Sequence, residues 1–198
     1  MARTQGFDRD TVIRAARTLF WTAGYESASI PDLEAATGLS RSSIYNAFGS
    51  KRGLFDAAVQ SYLDEVVRPR LQPLKADVVA PEAIVDYLRG LHGAFRNLGS
   101  MPASNGCLLI NAAGAPIARD PHVSRVIADY RTELHDAIAQ GIRARQGTRR
   151  AADEPQLADA VTNLVVAAFA LARIDPAQAA QSIETAAGLL TVEADAVR

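Results

Sequence analysis

The stretch GLSRSSIYNAFGSKRGLF, residues 38–55, decides the fold because it places a very short helix between two glycines. Ser40 is a good helix N-cap, and the spacing predicts a helix from Ser40 to Ala47. Apolar surface on this helix is limited to Ile44, with Tyr45 and Phe48 beside it. The other face carries short polar side chains and one arginine: Arg41, Ser42, Ser43 and Asn46. A short helix with an uncommitted polar face is typical of one that enters a groove.

The segments around this helix predict three more helices. Asp8 is an N-cap for a first helix with apolar residues at helical spacing, which ends at Gly24. Ser29 begins a second, short helix that ends at Gly38, and Ser50 caps a fourth helix. The predicted order is a helix, a short helix, a tight turn with glycine and another short helix. This is the order of a helix-turn-helix.

A helix-turn-helix places its last helix in the major groove, so the polar face predicts contacts to double-stranded DNA. Arg41 is placed for a bidentate contact to a guanine edge. Tyr45 can pack on a thymine methyl group or bond a phosphate, and Lys51 and Ser29 begin helices whose free N–H groups favour a phosphate. Contacts to phosphates or base edges are also predicted for Ser42, Ser43 and Asn46. The alternatives are that Arg41 is only a solvated surface residue and Tyr45 only a packing residue.

The charge distribution permits an anionic partner at the N-terminus. Residues 1–55 hold seven basic and five acidic side chains, whereas the remainder holds fourteen basic and seventeen acidic ones. The formal net charge of the whole chain is −1. The asymmetry is mild and does not by itself prove nucleic-acid binding.

Residues 8–66 resemble the DNA-binding domain of the TetR family of bacterial transcription regulators. The family pattern matches Leu19-Phe20 and Gly24-Tyr25, then Ser29-Ile30, Leu33-Glu34-Ala35-Ala36 and Gly38-Leu39-Ser40, and finally Ile44 to Lys51 with Leu54-Phe55. Many members carry His where this chain has Ala47, so we omit Ala47 from the predicted DNA contacts. The resemblance implies a DNA-binding domain over residues 1–48. It also implies a ligand-binding and dimerisation domain over residues 49–198, linked by the helix from Ser50.

The rest of the chain also predicts helices, because alanine is abundant and runs of Val, Ile and Thr are scarce. We expect a helix end and connection over 68–83, a helix over 82–98, a loop over 97–106, a short buried helix within 107–118, a long helix from Asp120-Pro121, a polar loop over 143–155, and closing helices at about 156–173 and 176–191. The predicted fold class is therefore all-α, a three-helix helix-turn-helix domain followed by a larger helical domain.

The two closing helices predict a dimer interface. The helix at about 156–173 is apolar nearly all round, so it should be buried on more than one side. A second copy could cover it as a four-helix bundle across a two-fold axis, although burial within one subunit is the alternative. The resemblance favours the homodimer. Two recognition helices about 34–36 Å apart would then read a roughly palindromic operator.

By the same resemblance the middle of the larger domain holds an effector pocket. Apolar, aromatic and amide candidates for its lining are Tyr62, Tyr87, Leu91, Phe95, Leu108, Asn111 and Phe169. Such a pocket suggests a small, largely apolar effector that releases a repressor from its operator, with activation as the other possibility. The apolar candidates would look the same if they were only core, and Asn111 could instead bond backbone groups.

The single cysteine, Cys107, has two interpretations. A lone cysteine excludes an intramolecular disulfide and suggests a reducing compartment. It is either a small buried hydrophobe or a thiol sensor. The second interpretation gives an alternative function, a redox-responsive regulator that acts through Cys107 without a small-molecule pocket.

Other classes of protein find little support in the sequence. There is no G-x-S-x-G, P-loop or G-x-G-x-x-G motif, so we predict neither an enzyme nor a cofactor. An all-helical enzyme or an apolar-ligand carrier would need a site that no motif indicates. His92, His122 and His135 lack metal-ligand spacing, so no metal site is predicted. The first ten residues lack the apolar core of a signal peptide, and the longest apolar run has nine residues (164–172), so we expect a cytoplasmic protein without a membrane partner.

Overall fold

The computed structural model describes residues 7–147 and 154–195, and within these ranges every regular element is helical, as predicted. The α-helices are α1 (Arg9–Ala23), α2 (Ile30–Thr37), α3 (Arg41–Phe48), α4 (Lys51–Tyr62), α5 (Arg68–Leu71), α6 (Ala83–Arg96), α7 (Met101–Asn105), α8 (Leu108–Ala113), α9 (Pro121–Gln146), α10 (Glu154–Leu171) and α11 (Pro176–Asp195). None of the helices in the described ranges is long and apolar enough to cross a membrane.

The first three helices form a small bundle closed by the start of α4. The four predicted N-caps are confirmed: Asp8, Ser29, Ser40 and Ser50 each accept a backbone N–H from the first turn that follows. Apolar side chains from all four helices meet in a common core: Phe20, Leu33, Ile44 and Leu54 are at most 2% exposed. The tight turn before α3 uses Gly38 at φ +69°, a left-handed conformation that glycine adopts at little cost.

The fourth helix continues well beyond this bundle. After α4 the chain makes a π-helical turn, Leu63–Val67, in which the N–H of Arg68 bonds the carbonyl of Leu63. It then enters α5 without a break and ends in a 3₁₀ turn, Gln72–Leu74. The helical path thus runs into the helix end and connection that were predicted over 68–83. Pro69 lies just after the π-helical turn, in the first turn of α5.

Two predictions between α6 and α9 need correction. Residues 97–106 are not all loop, because Ser100 accepts the N–H of Ala103 and nucleates α7. Pro102 fits the first turn of that helix. The buried helix predicted within 107–118 is shorter, since α8 ends at Gly114 and a 3₁₀ turn, Pro116–Arg119, follows.

The polar loop predicted over 143–155 is narrower than expected. Helix α9 runs to Gln146 and is capped by Gly147, while α10 starts at Glu154. The central part of the predicted loop, residues 148–153, lies outside the described residues.

Other helices of the same chain bury more of α10 than its apolar sequence led us to expect. Helix α10 packs against α8, α9 and α11, and α11 packs in turn against α6. Val161, Thr162 and Val165 are completely buried, and the Thr162 hydroxyl donates to the Ala158 carbonyl at 2.7 Å. Intrachain packing therefore accounts for part of the apolar surface that predicted a partner copy.

Candidate nucleic-acid interface and ligand cavity

Helix α3 is held from one side only. Ile44 is completely buried in the bundle core, whereas Arg41, Ser42, Tyr45 and Asn46 are exposed. The predicted contact residues of α3 therefore share one outward face, apart from Ser43, which is half-buried. A face of this shape and polarity can enter a groove without disturbing the core beneath it.

Arg41 lies on this face with its guanidinium available. Its backbone N–H donates to Glu34 Oε1 at 2.6 Å, which ties the start of α3 to α2. The guanidinium itself contacts only the Tyr45 ring, 5.6 Å from the ring centroid, and forms no ion pair with the described residues. It therefore retains all five N–H donors for a base edge or a phosphate.

The serines around α3 already share local hydrogen bonds. Ser40 Oγ lies 3.0 Å from both Ser42 Oγ and Ser43 Oγ, and it accepts the N–H of Ser43. Hydroxyl groups of this kind can rotate towards DNA, but they start from a satisfied network.

Ser29 and Lys51 have local partners as well. Ser29 Oγ lies 2.6 Å from Asp32 Oδ2 in a complete capping box, and these bonds lower the pKa of Asp32. The carboxylate of Asp32 thus already occupies the start of α2, where Ser29 was predicted to meet a phosphate. Lys51 Nζ lies 4.5 Å from the centroid of the Tyr25 ring, and desolvation lowers its pKa against the attraction of Glu26.

Two residues that fix the end of α3 were not identified from the sequence. Arg9 Nη1 donates to the Ala47 carbonyl at 3.1 Å, and its guanidinium stacks 4.3 Å from the Phe48 ring centroid. Gly53 lets α4 approach α3 so closely that a Cβ there would lie 2.0 Å from the Phe48 carbonyl oxygen. Gly53, three residues after the Ser50 cap, could have indicated a close approach of two backbones. The sequence does not show which segment approaches it.

Polar contacts among the described residues join the helix-turn-helix bundle, taken with the first turn of α4, to the helices from α7 onward. They include Trp21 Nε1 to the Gly106 carbonyl at 3.1 Å, the Ile117 N–H to Glu26 Oε1 at 2.7 Å, Arg173 Nη2 to the Thr22 carbonyl at 3.0 Å, and the Arg52–Asp120 ion pair. The hydrogen bond from Arg52 is the main cause that lowers the pKa of Asp120 to about 2. Asp120 also caps α9, so this pair connects the first turns of α4 and α9 directly.

A cavity of about 20 Å³, here called the interior cavity, lies among α4, α5, α6, α9 and α10, and it borders solvent at the exposed Arg70. Four predicted ligand residues line it together with five others: Tyr62, Tyr87, Leu91 and Phe169, with Val67, Arg70, Leu71, Tyr130 and Leu134. The ring of Phe95 packs edge-on against Phe169, with 5.6 Å between the ring centroids. The structure therefore brings five of the seven predicted ligand residues to one region.

The other two, Leu108 and Asn111, do not line this cavity, although the backbone of Leu108 meets the Tyr62 hydroxyl. They line a separate cleft of about 180 Å³ between α8 and the end of α1, with Phe20, Tyr25 and Arg173 among its other walls. Asn111 Nδ2 donates to the Asn105 carbonyl at 2.7 Å, so its amide has the backbone partner that was the alternative to a ligand.

Cys107 is completely buried, with its thiol 3.6 Å from the Tyr130 hydroxyl. Burial is the main cause that raises the pKa of Tyr62 and Tyr130 well above 10, so both phenols stay protonated. Among the described residues, no lysine, arginine or histidine forms a hydrogen bond or ion pair with this thiol. The surroundings of Cys107 therefore resemble core packing more than those of a reactive thiolate.

Metal-binding clusters of three or more His, Cys, Asp or Glu side chains are absent from the described part of the chain.

Comparison with known proteins covers both parts of the molecule. The family model "Bacterial regulatory proteins, tetR family" matches residues 12–58. The HTH-type transcriptional regulator YezE of Bacillus subtilis is 33% identical over 142 residues, 72% of this chain and 72% of that protein. The HTH-type transcriptional repressor ComR of Escherichia coli is 36% identical over 110 residues, 55% of this chain and 51% of ComR.

A solved structure resembles the whole fold. It is a cysteine mutant of the TetR family transcriptional regulator CifR, complexed with 26-bp double-strand operator DNA. It is 29% identical, has a TM-score of 0.77, and the match covers 94% of this chain and 98% of that one. The matched family consists of transcriptional regulators rather than enzymes. The helix-turn-helix bundle, the helical domain behind it and these similarities together place the chain in the TetR family of DNA-binding transcriptional regulators.

Proposed function

We propose that this protein is a transcriptional repressor whose α3 face reads operator DNA and whose larger domain releases it on binding a small molecule. The observation that carries the first half is the exposed Arg41–Tyr45–Asn46 face above a completely buried Ile44. The operator complex of CifR and the description of ComR as a repressor support the same assignment.

The residues we assign to DNA contact have different surroundings in the free chain. Arg41 carries the base-reading role, because its guanidinium is exposed and unpaired. Tyr45 and Asn46 share its face, and Ser42 and Ser43 contribute hydroxyl groups. Lys51 and Ser29 carry smaller roles at the edges of the interface, because an aromatic ring and Asp32 already engage them.

The operator-bound form we propose is a homodimer. Helices α10 and α11 provide the contact surface, where Val166, Ala167 and Leu171 remain half-buried and Ile174 is 83% exposed. A two-fold axis through this surface presents two α3 helices to a roughly palindromic site. In this arrangement residues 1–48 bind DNA, and residues 49–198 hold the ligand and the dimer contact.

The release mechanism follows from the path of α4. Tyr62, near its end, lines the interior cavity, while Gly53, in its first turn, lies against the end of α3. A ligand that displaces Tyr62 therefore moves the helix on which α3 rests, and the Arg52–Asp120 pair transmits motion of α9 to the same turn. A coupling of about 1–3 kcal/mol changes operator affinity by about 5–150-fold.

The test is fluorescence anisotropy on duplex DNA from the gene's own upstream region, at one stated salt concentration, because phosphate contacts make affinity salt-dependent. Wild type is compared with Arg41→Ala and with Arg125→Ala, which removes another exposed, unpaired arginine from α9. We expect Arg41→Ala to weaken specific binding by about tenfold or more and Arg125→Ala to leave it unchanged. Equal losses in both variants, or equal affinity for random duplex, would contradict base reading by Arg41.

A further inference from the structure

We propose that the interior cavity is built for an organic anion, a short apolar chain that ends in a carboxylate, with Arg70 as its counter-charge. The inference rests on the ligand-released repressor described above and names the chemical class of that ligand.

Arg70 is an unpaired cation in the cavity wall. Its guanidinium forms no ion pair or hydrogen bond with the described residues. The arginine two positions earlier, Arg68, pairs with both Asp64 and Glu133, so carboxylates are available on this side of the molecule. Arg70 is exposed, but it also lines the cavity, so its guanidinium can pair with a charged group placed there.

Tyr62 and Tyr87 line the same cavity as Arg70. Arg70 opposes the burial that raises the pKa of Tyr62 and Tyr87, which places its charge within electrostatic reach of both phenols. Burial dominates, so the phenols remain neutral O–H donors. The Tyr62 hydroxyl already meets Cys107 and the backbone of Leu108. The Arg70 guanidinium and the Tyr87 O–H therefore form the donor set that suits a carboxylate.

The rest of the lining is apolar and carries no acid. Val67, Leu71, Leu91, Leu134 and Phe169 complete the wall together with Tyr130. A cationic ligand would be repelled by Arg70, and a neutral ligand would gain no charge-assisted hydrogen bond from it. A short hydrocarbon chain with a terminal carboxylate matches both the apolar and the polar parts of the wall.

The size of the cavity sets how such a ligand enters. A volume of about 20 Å³ holds roughly one water molecule, so the wall must open. Arg70 is exposed and Tyr87 half-buried, whereas Tyr62, Leu91 and Tyr130 are buried. Opening on the Arg70 side needs only the rotation of side chains that already reach solvent. The ligand then pushes against Tyr62 and therefore against α4.

The experiment compares matched head groups on the same chain. Thermal unfolding and operator release are measured with butanoate, hexanoate and octanoate, with the primary alcohols of equal length, and with the corresponding amines. We expect the carboxylates to raise the melting temperature and to release operator at concentrations about tenfold lower than the alcohols, as a charge-assisted bond implies. The amines should have no effect.

Variants separate Arg70 from general charge effects. Arg70→Gln should bind operator like wild type but lose the preference for carboxylates over alcohols, and Arg70→Lys should keep part of it. Arg125→Gln, the same change at an exposed position of α9 outside the cavity lining, should keep all of it. Equal response to acids and alcohols in wild type, a preference that survives in Arg70→Gln, or no response to any carboxylate would each overturn the inference.

The thermal measurement needs no DNA, so it tests the ligand class separately from repressor activity. Failure of wild type to bind its operator would refute the proposed function, whereas operator binding without a carboxylate response would refute only the ligand class.

Discussion

Replacing Gly53 by alanine should disturb the recognition helix through a single backbone contact. The added Cβ would lie 2.0 Å from the Phe48 carbonyl oxygen and 3.2 Å from its carbonyl carbon. Ordinary contact begins near 3.4 Å, so the first turn of α4 and the end of α3 must separate by about 1.4 Å. Overpacking of this kind costs about 1–3 kcal/mol, which outweighs a helix-propensity gain of at most about 1 kcal/mol.

Gly93→Ala is the matched control. Gly93 is exposed within α6, and a Cβ there would meet nothing within 4 Å. The same substitution should therefore stabilise the chain by about 0.5–1 kcal/mol. Because 1 kcal/mol shifts the melting temperature of a chain this size by about 2–4 °C, the two variants should melt on opposite sides of wild type.

The readouts are thermal unfolding by circular dichroism and operator affinity by anisotropy. Gly53→Ala should lose operator affinity by about tenfold, because α3 is displaced relative to α4, while Gly93→Ala should bind like wild type. A Gly53→Ala variant that matches wild type in both assays would refute the reasoning, since α3 and α4 could then separate at no cost.

Three further substitutions probe contacts outside α3. Trp21→Phe leaves the buried Gly106 carbonyl without its donor and should cost about 1–3 kcal/mol in the free energy of unfolding, measured by urea titration. Asp120→Asn keeps a helix cap but loses the ion pair with Arg52. Because the folded-state pKa of Asp120 is about 2 against an ordinary 3.8, wild type gains stability from this group above about pH 4 and loses it as the pH falls towards 2. The variant should lack that part of the acid dependence between pH 4 and 2. Cys107→Ser should keep operator binding and ligand release, and an oxidant response in wild type that the variant loses would instead make this thiol a sensor.

The helix-turn-helix could be predicted from the sequence because its signals are local. Each cap is a short polar side chain that bonds an N–H within three residues, so Ser29, Ser40 and Ser50 indicate their helices directly. The polar face of α3 could be predicted for the same reason. Ile44 is the buried residue of this helix, so the side chains opposite it must face outward.

The contacts that position this helix could not be predicted in the same way. Arg9 reaches the carbonyl of Ala47 across 38 positions, and Arg52 reaches Asp120 across a larger separation. Such pairs depend on the packing of whole helices rather than on spacing along the chain.

The candidate pocket residues divided between two sites for the same reason. Composition identified apolar and aromatic residues, but only the packing of α8 shows that Leu108 lines the cleft beside α1 and not the cavity of Tyr62 and Leu91. Arg70 could not be predicted as a ligand residue, because an isolated arginine in a helical segment does not indicate a binding site until the cavity beside it is known. Helix α7 was not predicted because Ser100 and Pro102 are as typical of a turn as of a helix start.

The π-helical turn at Leu63–Val67 has a consequence for chain length. Removing one residue from an α-helix rotates the following part of the chain by about 100° about the helix axis. In the connecting helix this would change the orientation of the two domains relative to each other. A π turn already holds one residue more than the α-helical ladder needs, since its bonds run from i to i−5. Deleting one residue there can be absorbed by restoring α-helical bonds, whereas a deletion in Lys51–Tyr62 cannot. Homologues whose connecting helices differ by one residue should therefore place the difference at this turn.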